Sequence, residues 1–308
     1  MSMIKIITEE NWLKYLMKSK NLTIYHHPLF MNNHNEKINY TCYFKGDEPI
    51  LGIPLVEERK DRLRFQAYNG FIFSDRKSTK LQKIISSNVK AFKKYSEHIY
   101  KNYDEIEISC DDTLLDVRPF LWHNYPNGSY STDDYFTSKI SLKNFSRELI
   151  SEARRQEIKK SQNIGLKISS SNNFKSAANF FYGDQKNEDS VDDEKICLKI
   201  MQSLNENKLG ELFSCHLKKE IISYAFFGTF KNKVYYMFAG ANKKFKDIPY
   251  HTLIIYNSII QFKKNFSEID FVGVNSPERG SFKLSFGGDL NRCIKLKMKK
   301  KKHEIKFS

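Results

Sequence analysis

The sequence predicts an α/β fold of two similar domains, each a mixed sheet opened by an antiparallel meander and flanked by helices. Two observations carry that prediction. A series of three strand-like segments, a helical pattern and a short apolar strand occurs within residues 38–109 and returns in the same order within residues 211–274. The chain also holds material for two cores: 40% of its 308 residues are hydrophobic, with 24 Phe and 17 Tyr, so whole-chain disorder is excluded. The repeated order places a boundary near residue 143, giving domains at 1–143 and 144–308.

Taken in order, Trp12, Tyr15 and Leu16 at i, i+3, i+4 predict a helix over 8–19. Strands follow at Ile38–Phe44, Ile50–Glu57 and Leu63–Phe73, with polar turns at 45–48 and 58–61. Leu81, Ile84, Ile85, Val89, Phe92 and Tyr95 mark a long helix over 77–101. Glu105–Ser109 is a short strand, and a further strand lies near Tyr135–Leu142. The second half opens with a helix from Phe145 to Asn163, a strand at Leu166–Ser169 and helical stretches at 174–182 and 190–206. A second meander occupies Glu211–Leu217, Ile221–Phe230 and Val234–Ala239. It is followed by a helix from Pro249 to Lys264 and a buried strand from Ile269 to Val274.

Charge is the second feature. The chain carries 51 basic and 36 acidic residues, a net +15. Arg292, Lys295, Lys297, Lys299, Lys300, Lys301, Lys302 and Lys306 face only Glu304 in residues 291–308. That is either a footprint for phosphates of RNA, a nucleotide or a membrane surface, or a lysine-rich composition decorating solvent. Ile294, Leu296 and Met298 alternate with these lysines, which predicts a strand with one buried face and places the tail away from chemistry. The five cysteines are scattered, odd in number and without Cys-x-x-Cys, and read as free thiols of a cytoplasmic protein. No apolar run reaches membrane-spanning length. There is no Walker loop, HExxH, Gly-x-Ser-x-Gly or GxGxxG, which argues against nucleotide hydrolysis, zinc proteolysis, serine hydrolysis and Rossmann redox chemistry. No metal site is expected.

The informative stretch is Asp270-Phe-Val-Gly-Val-Asn-Ser-Pro-Glu-Arg-Gly-Ser-Phe-Lys-Leu-Ser-Phe-Gly-Gly-Asp-Leu290. An apolar strand breaks at Asn275-Ser276-Pro277. Phe282, Lys283, Phe286, Gly287 and Gly288 then group two aromatics, one cation and two glycines. Paired glycines mark a sharp turn or a close approach, by ligand or by the protein itself. Asp-Phe-x-Gly followed by Gly-x-Phe-Lys-x-x-Phe-Gly-Gly resembles the C-terminal signature of the FemABX-like branch of the acyltransferase superfamily that includes GNAT enzymes. Arg154-Arg155-x-x-Ile158-Lys159-Lys160 and the following Ile164-Gly165 resemble that branch's arginine-rich helix, and 25–30 and 50–55 resemble its first-domain patterns.

The resemblance implies two GNAT-like domains, a degenerate first one walling the acceptor and a second one holding the donor. It implies an acyl-CoA (acetyl-CoA) or aminoacyl-tRNA donor and an amine (or hydroxyl) acceptor on an anionic cell-envelope or polysaccharide precursor, lipid-linked or small. Peripheral membrane contact through the basic C-terminus belongs to the same expectation. Three readings stay open: acyl transfer from a thioester, tRNA-dependent aminoacyl transfer onto a peptidoglycan precursor, and non-catalytic nucleic-acid binding. Residues 174–208 leave no room for the long helical hairpin of some tRNA-dependent members.

Lys283 is the candidate catalytic residue, as a cation positioned for developing negative charge. Its alternative is a lysine whose stem packs on Phe282 or Phe286. Phe282, Phe286, Gly287 and Gly288 are expected to shape the acceptor groove. Arg154 and Arg155 lie about 100° apart on a helix, so one of the two faces an anion. The donor is expected over Tyr236 and Phe238 of the third meander strand. Lys243 and Lys246 of the loop before the Pro249 helix are positioned for its phosphates. That loop lacks the glycine-rich pyrophosphate pattern of CoA-binding GNAT enzymes, and Asp247 is placed to cap the helix in competition with a ligand. His26, His27 and His251 are candidate bases, with structural histidines the commoner outcome.

Overall fold

The computed structural model describes residues 2–34, 37–59, 62–63, 68–75, 80–114, 116–182 and 188–300. Two compact units emerge, one of residues 1–135 with 292–308 and one of residues 136–291. Both boundaries fall inside strands, where the sequence suggests a single cut at 143.

The first unit runs β1 (Ser2–Ile6), α1 (Glu9–Met17), α2 (Pro28–Met31), β2 (Lys37–Lys45), β3 (Glu48–Arg59), β4 (Arg62–Leu63), β5 (Ile72–Phe73), α3 (Leu81–Asn102), β6 (Glu105–Ser109) and α4 (Arg118–Leu121). β7 (Ser131–Ser141) leads into the second unit. There follow α5 (Glu152–Asn163), β8 (Leu166–Ser171), α6 (Phe174–Tyr182), α7 (Glu188–Glu206), β9 (Gly210–Leu217), β10 (Glu220–Phe230), β11 (Lys233–Ala241), α8 (Tyr250–Phe262), β12 (Glu268–Asp270), α9 (Pro277–Leu284) and β13 (Asp289–Lys299).

The sheets repeat one pattern. In the first unit β1, β2, β3 and β4 pair antiparallel, β4 pairs parallel with β6, and β6 pairs antiparallel with β13. In the second, β8, β9, β10 and β11 pair antiparallel, β11 pairs parallel with β12, and β12 pairs antiparallel with β7. The duplicated meander–helix–strand order is therefore a duplicated topology, with one mixed sheet in each unit.

Packing follows from the apolar stripes. Ala91, Phe92, Tyr95 and Ile99 of α3 cover Leu51, Ile53, Leu55 and Ile106 in the first core. In the second, Leu253, Ile254 and Ile259 of α8, with Ile158 of α5, cover Ala225, Phe227, Val234 and Ile269. Strand β10 is buried along nearly its whole length, as a central strand covered on both faces must be. On the neighbouring strand β11, α6 lies so close that a Cβ on Gly240 would meet the Phe180 carbonyl.

Several elements differ from the expectations. The third strand of the first meander divides into β4 and β5, and residues 64–67 lie outside those described. The expected strand Ile269–Val274 ends at Asp270. α5 starts only at Glu152, after a short 3-10 turn, because Ser151 caps it by accepting the Arg154 N–H at 3.4 Å. α7 spans 19 residues, Glu188–Glu206, where the sequence suggests a stretch at 190–206. Residues 277–284, read as a loop, form α9: Ser276 is its N-cap, Pro277 opens the first turn and Glu278 sits in it, each matched to a helix start. β13 has the expected alternation, with Leu296 and Met298 buried. Its cations are paired: Lys295 with Glu107 at 2.7 Å, Lys299 with Glu105 at 3.6 Å, Lys300 with Asp104 at 2.9 Å, Arg292 with Asp134 at 2.8 Å, and Lys297 with Asp133. The end of the basic tail, residues 301–308, lies outside those described.

Candidate functional site in the second unit

β11 and β12 keep parallel register for only three residues, Lys233 with Glu268, Val234 with Ile269 and Tyr235 with Asp270. β11 then continues against β10 to Ala241, while the other chain turns away through Phe271, Val272 and Gly273. The turn uses left-handed backbone: Val272 has φ +46° and Gly273 φ +83°. For a β-branched residue such as Val272 this conformation is strained, so something must hold it.

A buried aspartate and a half-buried lysine do. Asp270 accepts the Val272 N–H at 2.8 Å and the Thr137 hydroxyl at 2.5 Å. Lys283, projecting from α9, donates to the carbonyls of Phe271 at 2.6 Å, Val272 at 3.1 Å and Gly273 at 2.8 Å. Its Nζ also lies 5.6 Å from the centre of the Tyr236 ring. Burial pulls the lysine pKa down to about 8, against the pull of Asp270. Burial raises that of Asp270, opposed by Lys139, Thr137 and the Val272 amide. An ammonium has three hydrogens, and here three carbonyls accept them. In this arrangement all three ammonium hydrogens of Lys283 are taken up by the turn.

Beside the divergence, α8 begins at Tyr250 with Pro249 as N-cap and no side-chain cap. The Tyr250 N–H is satisfied by Ile248 at 2.9 Å. Asp247 does not cap, contrary to its sequence position; the proline extends the chain beyond its reach. An uncapped helix start presents amide donors and a positive dipole end. It forms one wall of a shallow cavity of about 270 Å³ lined by Arg154, Glu157, Lys160, Lys246, His251 and Phe282. Arg154 donates to Glu157 at 2.5 Å and to Thr252 at 3.3 Å, and its guanidinium lies 5.1 Å from the Phe282 ring centre. Its Nε is buried without a partner, as is His251 Nδ1. Burial holds the His251 pKa down to about 4, so the ring is neutral at pH 7.

The structure therefore brings Arg154, Phe282 and Lys246 together and leaves other expected residues elsewhere. Arg155, about 100° round the helix from Arg154, is not among the residues that line this cavity. Phe286 is wholly buried against Phe271 and Phe282. Gly287, at φ +82°, has no room for a Cβ because the Leu149 carbonyl would lie 2.5 Å from it, and at Gly288 the Ser138 hydroxyl intrudes. At both glycines the protein's own chain takes the space that a Cβ would need. Tyr236 is a core residue whose ring packs on Phe227 and Phe271, and Phe238 stacks on Phe181 at 6.1 Å. Lys243 is exposed on the short 3-10 turn after β11.

His26 and His27 are structural. His26 Nδ1 accepts the Thr23 N–H at 3.2 Å and its Nε2 donates to the Gly70 carbonyl at 3.0 Å. His27 caps α2 by accepting the Leu29 N–H at 3.1 Å. Sequence reasoning assigned no role to Asp270 or Thr252. Asp270 carries a signal, an acidic residue ending an apolar strand; Thr252 carries none. Among the described residues no cluster of His, Cys, Asp or Glu has the makings of a metal site.

No known protein-family profile matches the sequence, and no curated protein matches it. Solved structures do. The chain is similar to a crystal structure of FemX, with TM-score 0.64 and 12% identity over 95% of this chain and 96% of that one. A tandem GNAT protein from the clavulanic acid biosynthesis pathway gives TM-score 0.57 at 6% identity, covering 96% and 98%. L-PGS from Bacillus licheniformis gives 0.55 at 11%, covering 97% and 94%. At these identities the likeness is one of fold, and the repeated sheet topology agrees with it: the chain has the tandem GNAT-like fold of FemABX-type proteins.

Proposed function

We propose that the protein is an acyltransferase whose second unit binds the donor. The observation that carries this reading is the divergence of β11 from β12 beside the uncapped start of α8. The gap has a free strand edge for an extended acyl-bearing arm, and the helix start with Arg154, Lys160 and Lys246 suits the donor's phosphates. Transfer breaks the donor's C–S or C–O bond, forms a C–N bond to the acceptor and releases a thiol or hydroxyl. The acceptor amine gives up one proton. Backbone donors and orientation can supply much of the barrier reduction, so the chemistry needs no covalent nucleophile from the protein. Asp270 and Lys283 fix the wall of the gap, Phe282 and Arg154 form its mouth, and His251 is neutral and able to accept a proton.

The donor is an acyl-CoA, with acetyl-CoA as the first choice, and the acceptor is an amine on an anionic envelope or polysaccharide precursor. A second reading, aminoacyl-tRNA as donor, is favoured by one feature: the cationic mouth has no glycine-rich loop fitted to pyrophosphate, and the net charge is +15. Calorimetric titration with acetyl-CoA and with charged tRNA separates the two. Saturable binding of acetyl-CoA, weakened at least tenfold in Arg154→Ala, supports the first reading; binding of tRNA alone moves the assignment to the second.

A further inference from the structure

We infer that α3 and the α4 turn of the first unit form a docking face for an anionic lipid bilayer. Leu121, Trp122 and Tyr125 are 37%, 51% and 79% exposed within five residues of chain. Trp and Tyr are the side chains that settle at a membrane–water interface, with an apolar ring and a polar edge. The Arg118 guanidinium lies 5.5 Å from the Trp122 ring centre.

A basic stripe adjoins this cluster. Lys83, Lys90, Lys93, Lys94 and Lys101 are all exposed on α3, where Glu97 is the lone acid. At helical spacing they share an arc of about 100°. Lys94 pairs with Glu97 at 2.8 Å. Lys83, Lys90, Lys93 and Lys101 make no ion pair among the described residues. Tyr100, next to Lys101, stacks on His123 at 4.6 Å and so ties the end of the stripe to the Trp122 turn. The sequence expectation places such a contact on the C-terminal lysines, of which Lys301, Lys302 and Lys306 lie outside the described residues. The described C-terminal lysines are matched by Glu105, Glu107, Asp104 and Asp133, while Lys83, Lys90, Lys93 and Lys101 of α3 are exposed and lack such a partner among the described residues. No helix among the described residues is long and apolar enough to cross a membrane, so this face would lie on the bilayer surface. Anionic headgroups complement the stripe and the interfacial zone takes the rings.

The chain has a built-in probe. It holds two tryptophans; Trp12 is fully buried with its Nε1 donating to the His26 carbonyl at 2.9 Å, leaving Trp122 to report on the surface. Full-length protein is mixed with vesicles of phosphatidylcholine alone or with one-third phosphatidylglycerol, following sedimentation and tryptophan emission. We expect a blue shift and at least tenfold stronger partition on the anionic vesicles. Trp122→Ser with Tyr125→Ser should abolish the shift and weaken partition at least fivefold. Lys90→Gln with Lys93→Gln and Lys101→Gln should flatten its salt dependence. Unchanged melting temperatures establish that these surface variants fold. Absence of binding, or binding with unshifted Trp122 emission, overturns the inference. So does a face that ignores vesicles while tRNA quenches Trp122 in a lysine-dependent way, because it would then be an RNA surface.

Discussion

Asp270 and Lys283 hold Val272 at both of its backbone polar groups. The aspartate accepts the Val272 N–H at 2.8 Å and the lysine donates to the Val272 carbonyl at 3.1 Å. A β-branched residue at φ +46° is thereby fixed by a buried aspartate and a half-buried lysine from different elements. The turn so held is where the parallel strands part, which connects the FKxxFGG motif to the shape of the donor gap.

Lys283→Met keeps the apolar stem and deletes the charge. We expect kcat/KM to fall about ten- to a thousandfold, roughly 1.4–4 kcal/mol. The structure predicts a drop in melting temperature, because three carbonyls lose a charged donor, on the order of 2 kcal/mol or more. A variant with wild-type kinetics and a wild-type melting curve would show that the turn holds itself.

The pH dependence of Lys283 has two opposite signs. Its folded pKa of about 8 lies below the ordinary 10.5, so between these values the unfolded chain binds more protons and this group's contribution to stability rises with pH. Above pH 8 the neutral amine has only two hydrogens for three carbonyls, and activity should decline. Urea midpoints and pH–rate profiles of wild type and Lys283→Met check both; an activity profile flat from pH 7 to 9.5 in the wild type counts against the assignment.

His26 should govern acid stability in the first unit. Burial lowers its pKa to about 4 from 6.5, and its Nδ1 must stay unprotonated to accept the Thr23 N–H. The unfolded chain takes up the proton first, so stability is full above pH 6.5 and lost as pH falls towards 4. His26→Gln should reduce the slope of stability against pH in that window, read from urea midpoints at pH 7, 6 and 5. An unchanged slope would point to other groups.

Much of the second unit was legible because its strands are long and bounded by polar two-residue turns, as at Lys218-Lys219 and Asn232. Its site was legible only in part. Phe282 and Lys283 announced a special stretch, but spacing alone cannot say that Lys283 turns inward to the chain's own carbonyls. Nor can it say that Gly287 and Gly288 are required by Leu149 and Ser138. α9 was missed because the Asn-Ser-Pro break was read as an end, although Ser, Pro and Glu in that order equally open a helix. β5 and the end of β12 depend on where strands part, which is a tertiary outcome.

Gly287→Ala tests that account of the motif. A side chain at φ +82° facing the Leu149 carbonyl should destabilise by about 2–4 kcal/mol, lowering the melting temperature by several degrees. If Gly287 admits a ligand instead, the variant would melt normally and fail only in binding.

The two arginines offer an internal control. Arg154→Ala should weaken donor binding about tenfold, near 1.4 kcal/mol, whereas Arg155→Ala should change it less than threefold. Equal effects would show that helix charge, not the Arg154 position beside Phe282 and Thr252, attracts the donor.

The central claim is acyl transfer by the second unit, and its most direct test is transfer of label. Purified protein is incubated with radiolabelled acetyl-CoA, or with tRNA charged with a labelled amino acid, and a panel of amine acceptors including amino-sugar nucleotides and peptidoglycan precursors. The account predicts label in an amide product from one donor, reduced at least tenfold in Lys283→Met and in Arg154→Ala. No product from either donor, together with no saturable binding of either, would contradict it.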